Sequence, residues 1–188
     1  VIKQWRQEDY LKSLIKEYWF IDKSILNKDI MFPLEGYLYP ETYFITSEEP
    51  NLKDMTKLAL DMMDKKLTPF KETIKKMNWT PHQFLAFASV VERESGTDIN
   101  TGMKLQSDIT VNYAWQRTGV TVSTAQTQID SQYNTYRYAG LPIGPISTVP
   151  ESTLKACANY THHDYLYFFA MKDPNNPKKA KVVYTKNY

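Results

Sequence analysis

The residue best placed to do chemistry is Glu92. It follows the run Phe84-Leu-Ala-Phe-Ala-Ser-Val-Val, with Leu85, Ala88 and Ser89 at seven, four and three residues before it. At helical spacing these share its face. A carboxylate ending an apolar face is desolvated, which favours the protonated form and raises its pKa. A general acid working near neutral pH needs that environment. The plainer alternative is a solvated helix-end glutamate paired with Arg93 or a lysine. Glu94 lies two residues on, about 200° round the helix, so it does not share a face with Glu92. The two are not a paired-carboxylate site. A glycosidase needing a second carboxylate would draw it from Glu35 or Asp108, and a structural role is the simpler reading of each.

Other reactive residue types lead nowhere. His162-His163-Asp164 lacks a third ligand at usable spacing, so no metal site is expected. His82, in a first helical turn, reads as a surface residue. Phosphate loops, nucleophile elbows and dinucleotide fingerprints are absent. Cys157 is the one cysteine, which forbids an internal disulfide and a multi-cysteine zinc site; between Ala156 and Ala158 it reads as a buried, inert thiol.

The element carrying Glu92 announces its own start. Thr80 is an N-cap, Pro81 occupies the first helical position and Gln83 completes a capping box. The following residues are apolar nearly all round, which predicts a helix buried on most sides, with Gly96 as its C-cap. Upstream, Leu11, Leu14, Ile15, Tyr18 and Trp19 predict a helix over 7–19, and residues 22–29 a shorter one. Pro33 and Pro40 bracket Leu-Glu-Gly-Tyr-Leu-Tyr, a fixed irregular surface, and residues 43–46 read as a short strand. Asn51 caps a helix over 51–67 with Leu52, Met55, Leu58, Ala59 and Met62 as its inward stripe. Lys65, Lys66, Lys71, Lys75 and Lys76 read as a solvated face, with an anionic-polymer contact as the alternative.

The second half is less helical. Residues 108–115 form a short helix or strand, 118–127 a loop, and the two glycines and two prolines of 140–146 demand a rigid loop. A helix is expected over 152–159, and paired strands over 165–170 and 181–185 flank Asp-Pro-Asn-Asn-Pro. The class is α+β, mixed helices with short antiparallel strands.

Composition bounds the function. With 188 residues, 42% apolar and 23% charged, the chain forms one domain with a real core. A net charge of +2 gives no nucleic-acid footprint. The aromatic share is 14%, with 14 Tyr and 4 Trp, a surplus suited to interfaces or sugar-binding surfaces. The longest apolar run, 84–91, is too short to span a bilayer. The chain reads as soluble, with any membrane anchor upstream of it.

Six blocks in order resemble the endolytic murein transglycosylases, or YceG-like family: Leu34-Glu-Gly-Tyr-Leu-Tyr-Pro-Glu-Thr-Tyr, Ala88-Ser-Val-Val-Glu-Arg-Glu, Gly102-Met-Lys-Leu-Gln-Ser-Asp, Tyr133-Asn-Thr-Tyr-Arg, Gly140-Leu-Pro-Ile-Gly-Pro-Ile and Tyr165-Leu-Tyr-Phe-Phe-Ala. The resemblance implies a single catalytic domain over 1–188, with an N-terminal helical part (1–79) and a catalytic core (80–188). It implies an extracytoplasmic enzyme of the cell membrane, anchored by a preceding single span, that cuts peptidoglycan glycan strands beside peptidoglycan synthases. The catalytic glutamate of the family's Ala-Ser-x-Val-Glu block falls on Glu92. The implied chemistry uses one carboxyl as acid and then base, needs no metal or cofactor, and leaves a 1,6-anhydro sugar. Gln106, Ser107, Asp108, Tyr133 and Asn134 are implied substrate-binding groups, and Tyr37 or Tyr39 could stack on sugar rings. Two alternatives stay open: a hydrolytic muramidase that admits water, and a non-catalytic glycan-binding domain.

Three departures from the family stand out. The family has a longer segment between the Glu block and Gly102, so the chain either is shortened there or lacks a stretch between Thr97 and Thr101 in the sequence as given. Ile143 replaces a frequent proline. The family's N-terminal anchor and sugar-binding-like portion are not represented. The geometry expected is a largely buried Glu92 opening into a cleft lined by 106–108 and 133–144. On that reading Glu92→Gln loses roughly 10²–10⁴-fold in activity and Glu94→Gln far less.

Overall fold

The computed structural model describes residues 4–45, 51–94, 104–119, 121–159, 167–173 and 176–185. Helix α1 (Glu8–Glu17) carries Glu8 and Asp9 in its first turn and Lys16 in its last, matching the helix dipole, and buries Leu11 and Leu14. Phe20 follows it into the core, surrounded by the rings of Tyr18, Trp19 and Tyr37 at 5.5, 5.9 and 6.3 Å. Asp22 then caps a 3-10 turn, Lys23–Leu26, by accepting from the Ser24 N–H.

Helix α2 (Leu52–Leu67) starts where expected, with the Asn51 side chain accepting from the Asp54 N–H at 2.9 Å. Its inward face is not the expected stripe. Met55 and Leu58 are 43% and 42% exposed, while Thr56, Ala59, Leu60, Met63 and Leu67 are buried. The helix is rotated because Thr56 can be buried with its hydroxyl satisfied: it accepts from Trp5 Nε1 at 3.0 Å and donates to the Leu52 carbonyl at 2.7 Å. Tyr18 Oη donates to Asp61 at 2.6 Å and Trp19 Nε1 to Asp64 at 2.7 Å. Part of the aromatic surplus therefore makes struts between α1 and α2, apolar along the ring and polar at the tip.

A 3-10 turn, Thr68–Phe70, leads into α3 (Lys71–Lys76), and α4 (Pro81–Arg93) follows. The capping box of α4 forms as read: the Gln83 N–H donates to Thr80 Oγ1 at 3.2 Å and the Thr80 N–H to Gln83 Oε1 at 2.9 Å. Phe84 to Val90 are buried without interruption, so the middle of α4 is enclosed on all sides. Residues 108–115 resolve as a helix, α5 (Asp108–Ala114). Helix α6 (Glu151–Ala158) packs on α4. Strands β1 (Tyr167–Asp173) and β2 (Asn176–Thr185) pair antiparallel, Phe169 opposite Val183, with a register shift at Lys172/Asp173.

Leu11 and Leu14 of α1, Leu60 and Met63 of α2, Phe84 and Leu85 of α4 and Leu154 and Cys157 of α6 share one core, so the 1–79 part and the remainder are packed as a unit. Of the strand expected over 43–46, residues 43–45 have no regular structure, with Phe44 89% exposed, and residue 46 lies outside the described residues. Gly96, the 97–101 segment and His162-His163-Asp164 lie outside the described residues. Among those described, no helix is long and apolar enough to cross a membrane.

Two expected outcomes follow from these elements. Thr80→Ala removes the reciprocal cap and should cost about 1 kcal/mol, a fall in Tm of roughly 2–4 °C in a chain of this size. Glu151 joins α2 to α6, pairing with Lys155 at 2.6 Å and with Lys66. Hydrogen bonds from Lys155 and then Lys66 hold its carboxyl down at about 2 from 4.5. A lowered carboxyl contributes stability above its unfolded pKa and loses it as pH falls through the folded one. Acid titration of stability between about pH 4.5 and 2 should therefore be flatter in Glu151→Gln than in the parent.

Candidate active site

The end of α4 sorts its carboxylates by direction. Each residue advances about 100°, so Glu94 returns over Val90 whereas Glu92 emerges on the far side. The Glu94 N–H donates to the Val90 carbonyl at 2.8 Å. Glu92 is exposed, and its Oε2 accepts from Thr153 Oγ1 on α6. This corrects the expectation of a largely buried Glu92. The apolar face seen in the sequence is real, but the core stops one turn earlier, and the last turn of α4 reaches solvent beside α6. Cys157 is the buried thiol expected there, pushed up to about 12 by burial and secondarily by the negative charge of Glu92.

Of the segments expected around Glu92, 106–108 reaches Glu94 through Ser107, with Thr135 behind it, while Ile146 and Ser147 pack on Ser89. Ser107 is buried, and its hydroxyl donates to Glu94 Oε1 at 2.5 Å. Thr135 holds Ser107 in place: its Oγ1 accepts from the Ser107 N–H at 3.1 Å, its carbonyl accepts from the Gln106 N–H at 3.2 Å, and Thr110 Oγ1 lies 2.8 Å from Thr135 Oγ1. A parallel bridge between Lys104 and Gly140 extends the zip. Gln106 is exposed with φ +51, a left-handed conformation that a glutamine adopts only under constraint. Asp108 accepts from Tyr136 Oη at 2.6 Å. Burial, then Asp108 and, more weakly, Glu94 push the Tyr136 phenol up to about 12, so it stays a donor.

Four expected substrate contacts are packing instead. Asn134 is fully buried; its amide donates to the Thr127 and Ile129 carbonyls, both at 2.8 Å, and its oxygen accepts from the Tyr136 N–H at 3.0 Å. It shapes the loop that offers Thr135 and Tyr136. Tyr133 is buried against Tyr113, ring centres 4.8 Å apart. Tyr37 and Tyr39 are in the core as well. The reason lies at Gly36, whose φ of +77 turns the segment inward against Pro145; a Cβ there would sit 2.3 Å from the Pro145 Cβ.

His82 is also buried, not at the surface. Its Nε2 lies 2.7 Å from the Ile143 carbonyl and its Nδ1 2.6 Å from Tyr37 Oη. A carbonyl only accepts, which puts the ring proton on Nε2 and makes Nδ1 the acceptor for the Tyr37 hydroxyl. Complete burial raises that phenol well above its ordinary value, consistent with a permanent donor. Ser89 completes the seat: its Oγ accepts from the Ile146 N–H at 3.0 Å, and its carbonyl accepts from Ser147 Oγ at 3.2 Å. Glu35 is half-buried, its carboxyl raised by desolvation against the opposing pull of the Gly36 N–H and Arg93.

The arrangement presents two carboxyls, Glu94 held by the buried Ser107 hydroxyl and Asp108 held by the Tyr136 phenol, with Gln106 exposed in the same segment. The sequence reading set Glu94 aside as lying off the Glu92 face and took His82 for a surface residue, and it did not single out Thr135 or Tyr136 within the Tyr133-Asn-Thr-Tyr-Arg block.

The whole chain, residues 1–188, matches the model of the YceG-like family. An endolytic murein transglycosylase of Bacillus subtilis is 32% identical over 200 residues, covering 99% of this chain and 54% of the relative. One from Streptococcus pneumoniae is 32% identical over 202 residues, covering 97% of this chain and 36% of the relative. The crystal structure of a yceG-like protein from Listeria monocytogenes superposes with a TM-score of 0.84 at 30% identity, covering 99% of this chain and 64% of that one. The chain thus spans between about a third and two thirds of the length of these relatives.

Ser89→Ala should strand the buried Ile146 N–H. The expected cost is about 1–3 kcal/mol, a Tm lower by roughly 2–12 °C, with protease cutting within 140–147 appearing early. An unchanged Tm would mean that the loop is held elsewhere.

Proposed function

This chain belongs to the YceG-like family, and from that premise we propose that it cuts the glycan strands of peptidoglycan as a lytic transglycosylase, with Glu94 as the acid and then the base. The observation that supports the assignment is the Ser107–Glu94 hydrogen bond, on the side of α4 where the 104–108 and 133–140 segments meet. The bond cut is the β-1,4 link between N-acetylmuramic acid and N-acetylglucosamine. Glu94 gives its proton to the glycosidic oxygen as the bond to the muramoyl anomeric carbon breaks. The Glu94 carboxylate then takes the proton of the muramoyl C6 hydroxyl, whose oxygen attacks that same carbon. The products are a 1,6-anhydro end and a free N-acetylglucosamine hydroxyl. Because the nucleophile belongs to the substrate, neither a second carboxylate nor a cofactor enters the balance.

Gln106, the Tyr136 hydroxyl and the Asp108 carboxylate are the groups this reading places around the sugar, on the surface where the two segments join. Tyr37, Tyr39, Tyr133 and Asn134 support it from beneath. The same reading puts the chain outside the cell membrane, as the extracytoplasmic catalytic domain of a singly anchored protein working beside peptidoglycan synthases.

The test is digestion of purified sacculi by wild type, Glu94→Gln and Glu92→Gln, with mass spectrometry of the released fragments. Glu94→Gln should lose at least roughly 10²–10⁴-fold, and Glu92→Gln, exposed and held by Thr153, should keep most activity. Wild type should leave anhydro ends; reducing ends would identify a muramidase that admits water. An active Glu94→Gln beside an inactive Glu92→Gln would return the acid to Glu92.

A further inference from the structure

Helix α5 leaves the site at Ser107 and stops abruptly. Gln116 has φ +53, and the Arg117 N–H folds back to the Asn112 carbonyl at 2.9 Å. The turn lays the Arg117 guanidinium on the Trp115 ring, 5.4 Å from its centre. Trp115 is itself 46% exposed. The guanidinium has one unusual edge: Nε and Nη2 are both buried, and neither has a hydrogen-bond acceptor. Those two nitrogens present the parallel N–H pair that clasps a carboxylate side-on. Among the described residues, no carboxylate lies within ion-pair distance of Arg117. Proteins rarely leave buried charged donors unanswered, because their desolvation is then uncompensated.

We propose that Arg117 and Trp115 form an acidic-group subsite, in which the Nε/Nη2 edge takes a carboxylate carried by the glycan strand while the exposed indole face meets a sugar ring. This rests on the peptidoglycan reading above. The subsite sits at the C-terminal end of α5 and Asp108 at its start, about 9 Å apart along the helix at helical rise, so it is a neighbouring position and not the reacting one. Entry requires whatever covers that buried edge to shift, and the adjoining Trp115 ring is held by one side-chain hydrogen bond, to the Gln126 carbonyl, long at 3.3 Å. The carboxylate has two possible sources, the lactyl group of an unsubstituted muramic residue or the stem peptide of a substituted one.

Three glycans separate the outcomes. Amidase-stripped strands carry lactyl carboxylates, intact strands carry stem carboxylates, and chitotetraose carries none. Affinities are measured calorimetrically in the Glu94→Gln background, with and without Arg117→Gln, while wild type is assayed for cleavage in parallel. The expected result is binding about 10- to 100-fold tighter for at least one carboxylate-bearing strand than for chitotetraose, a preference lost in Arg117→Gln. Whichever strand is preferred identifies the source. Arg117→Lys, which keeps the charge but not the fork, should recover little of it. Without ligand, Arg117→Gln should melt at or above its parent, because an unanswered buried charge has been removed. Equal affinity for all three glycans overturns the subsite without needing any variant. So does a preference that survives Arg117→Gln, or a large fall in its Tm, which would mark the guanidinium as a structural strut. Wild type that neither binds nor cuts any of the three defeats the peptidoglycan reading itself, and the subsite with it.

Discussion

The hydrogen-bonded chain Tyr37–His82–Ile143 is what the rest of the molecule depends on. It joins three segments distant in sequence: the turn between two prolines, the first turn of α4, and the loop of 140–147. An imidazole suits the junction because its two nitrogens act in opposite senses when neutral, one accepting from the phenol and one donating to the carbonyl. Ser89, two turns on, repeats the device with a hydroxyl. Ser89 Oγ donates to the Ala86 carbonyl inside α4 at 2.7 Å, which leaves its oxygen free to accept from outside the helix, while both partners of His82 lie outside it. The 140–147 loop supplies the Ile143 carbonyl and the Ile146 N–H and is thereby fixed over α4.

With that loop fixed, the helical repeat divides the tasks at the end of α4. Val90 marks the last buried position on the side facing 133–140, and Glu94, one turn later, meets Ser107 there. Glu92 leaves toward α6 and finds only the Thr153 hydroxyl among its described hydrogen bonds. Thr135 works at a distance from both, holding Ser107 through a side chain and Gln106 through a carbonyl. The geometry around one carboxyl is thus set by residues that never approach it.

Local signals were legible in the sequence; directions were less so. Thr80-Pro-His-Gln specifies its capping box by chemistry confined to four residues, and the Asn51 cap of α2 was readable for the same reason. The α2 stripe was misread because Thr56 counts as polar until Trp5, far away in sequence, satisfies it. Tyr37, Tyr39 and Tyr133 looked like sugar platforms because nothing local distinguishes a buried tyrosine from a wet one. His82 looked superficial since both its partners are remote. Choosing between Glu92 and Glu94 required knowing which side of α4 the loops would occupy, a fact held by Thr135 and Lys104–Gly140 and not by the helix.

The remote partners of α4 also bear on when the chain can fold as it is synthesised. His82 Nε2 finds its acceptor at the Ile143 carbonyl, the Ile146 N–H and Ser147 Oγ find theirs at Ser89, and Gly36 rests against Pro145. Until those residues leave the ribosome, enclosing α4 would bury polar groups without partners. The nascent N-terminal part must therefore keep its most apolar helix waiting, exposed to chaperones and to premature association, until the 140–147 loop arrives to close over it.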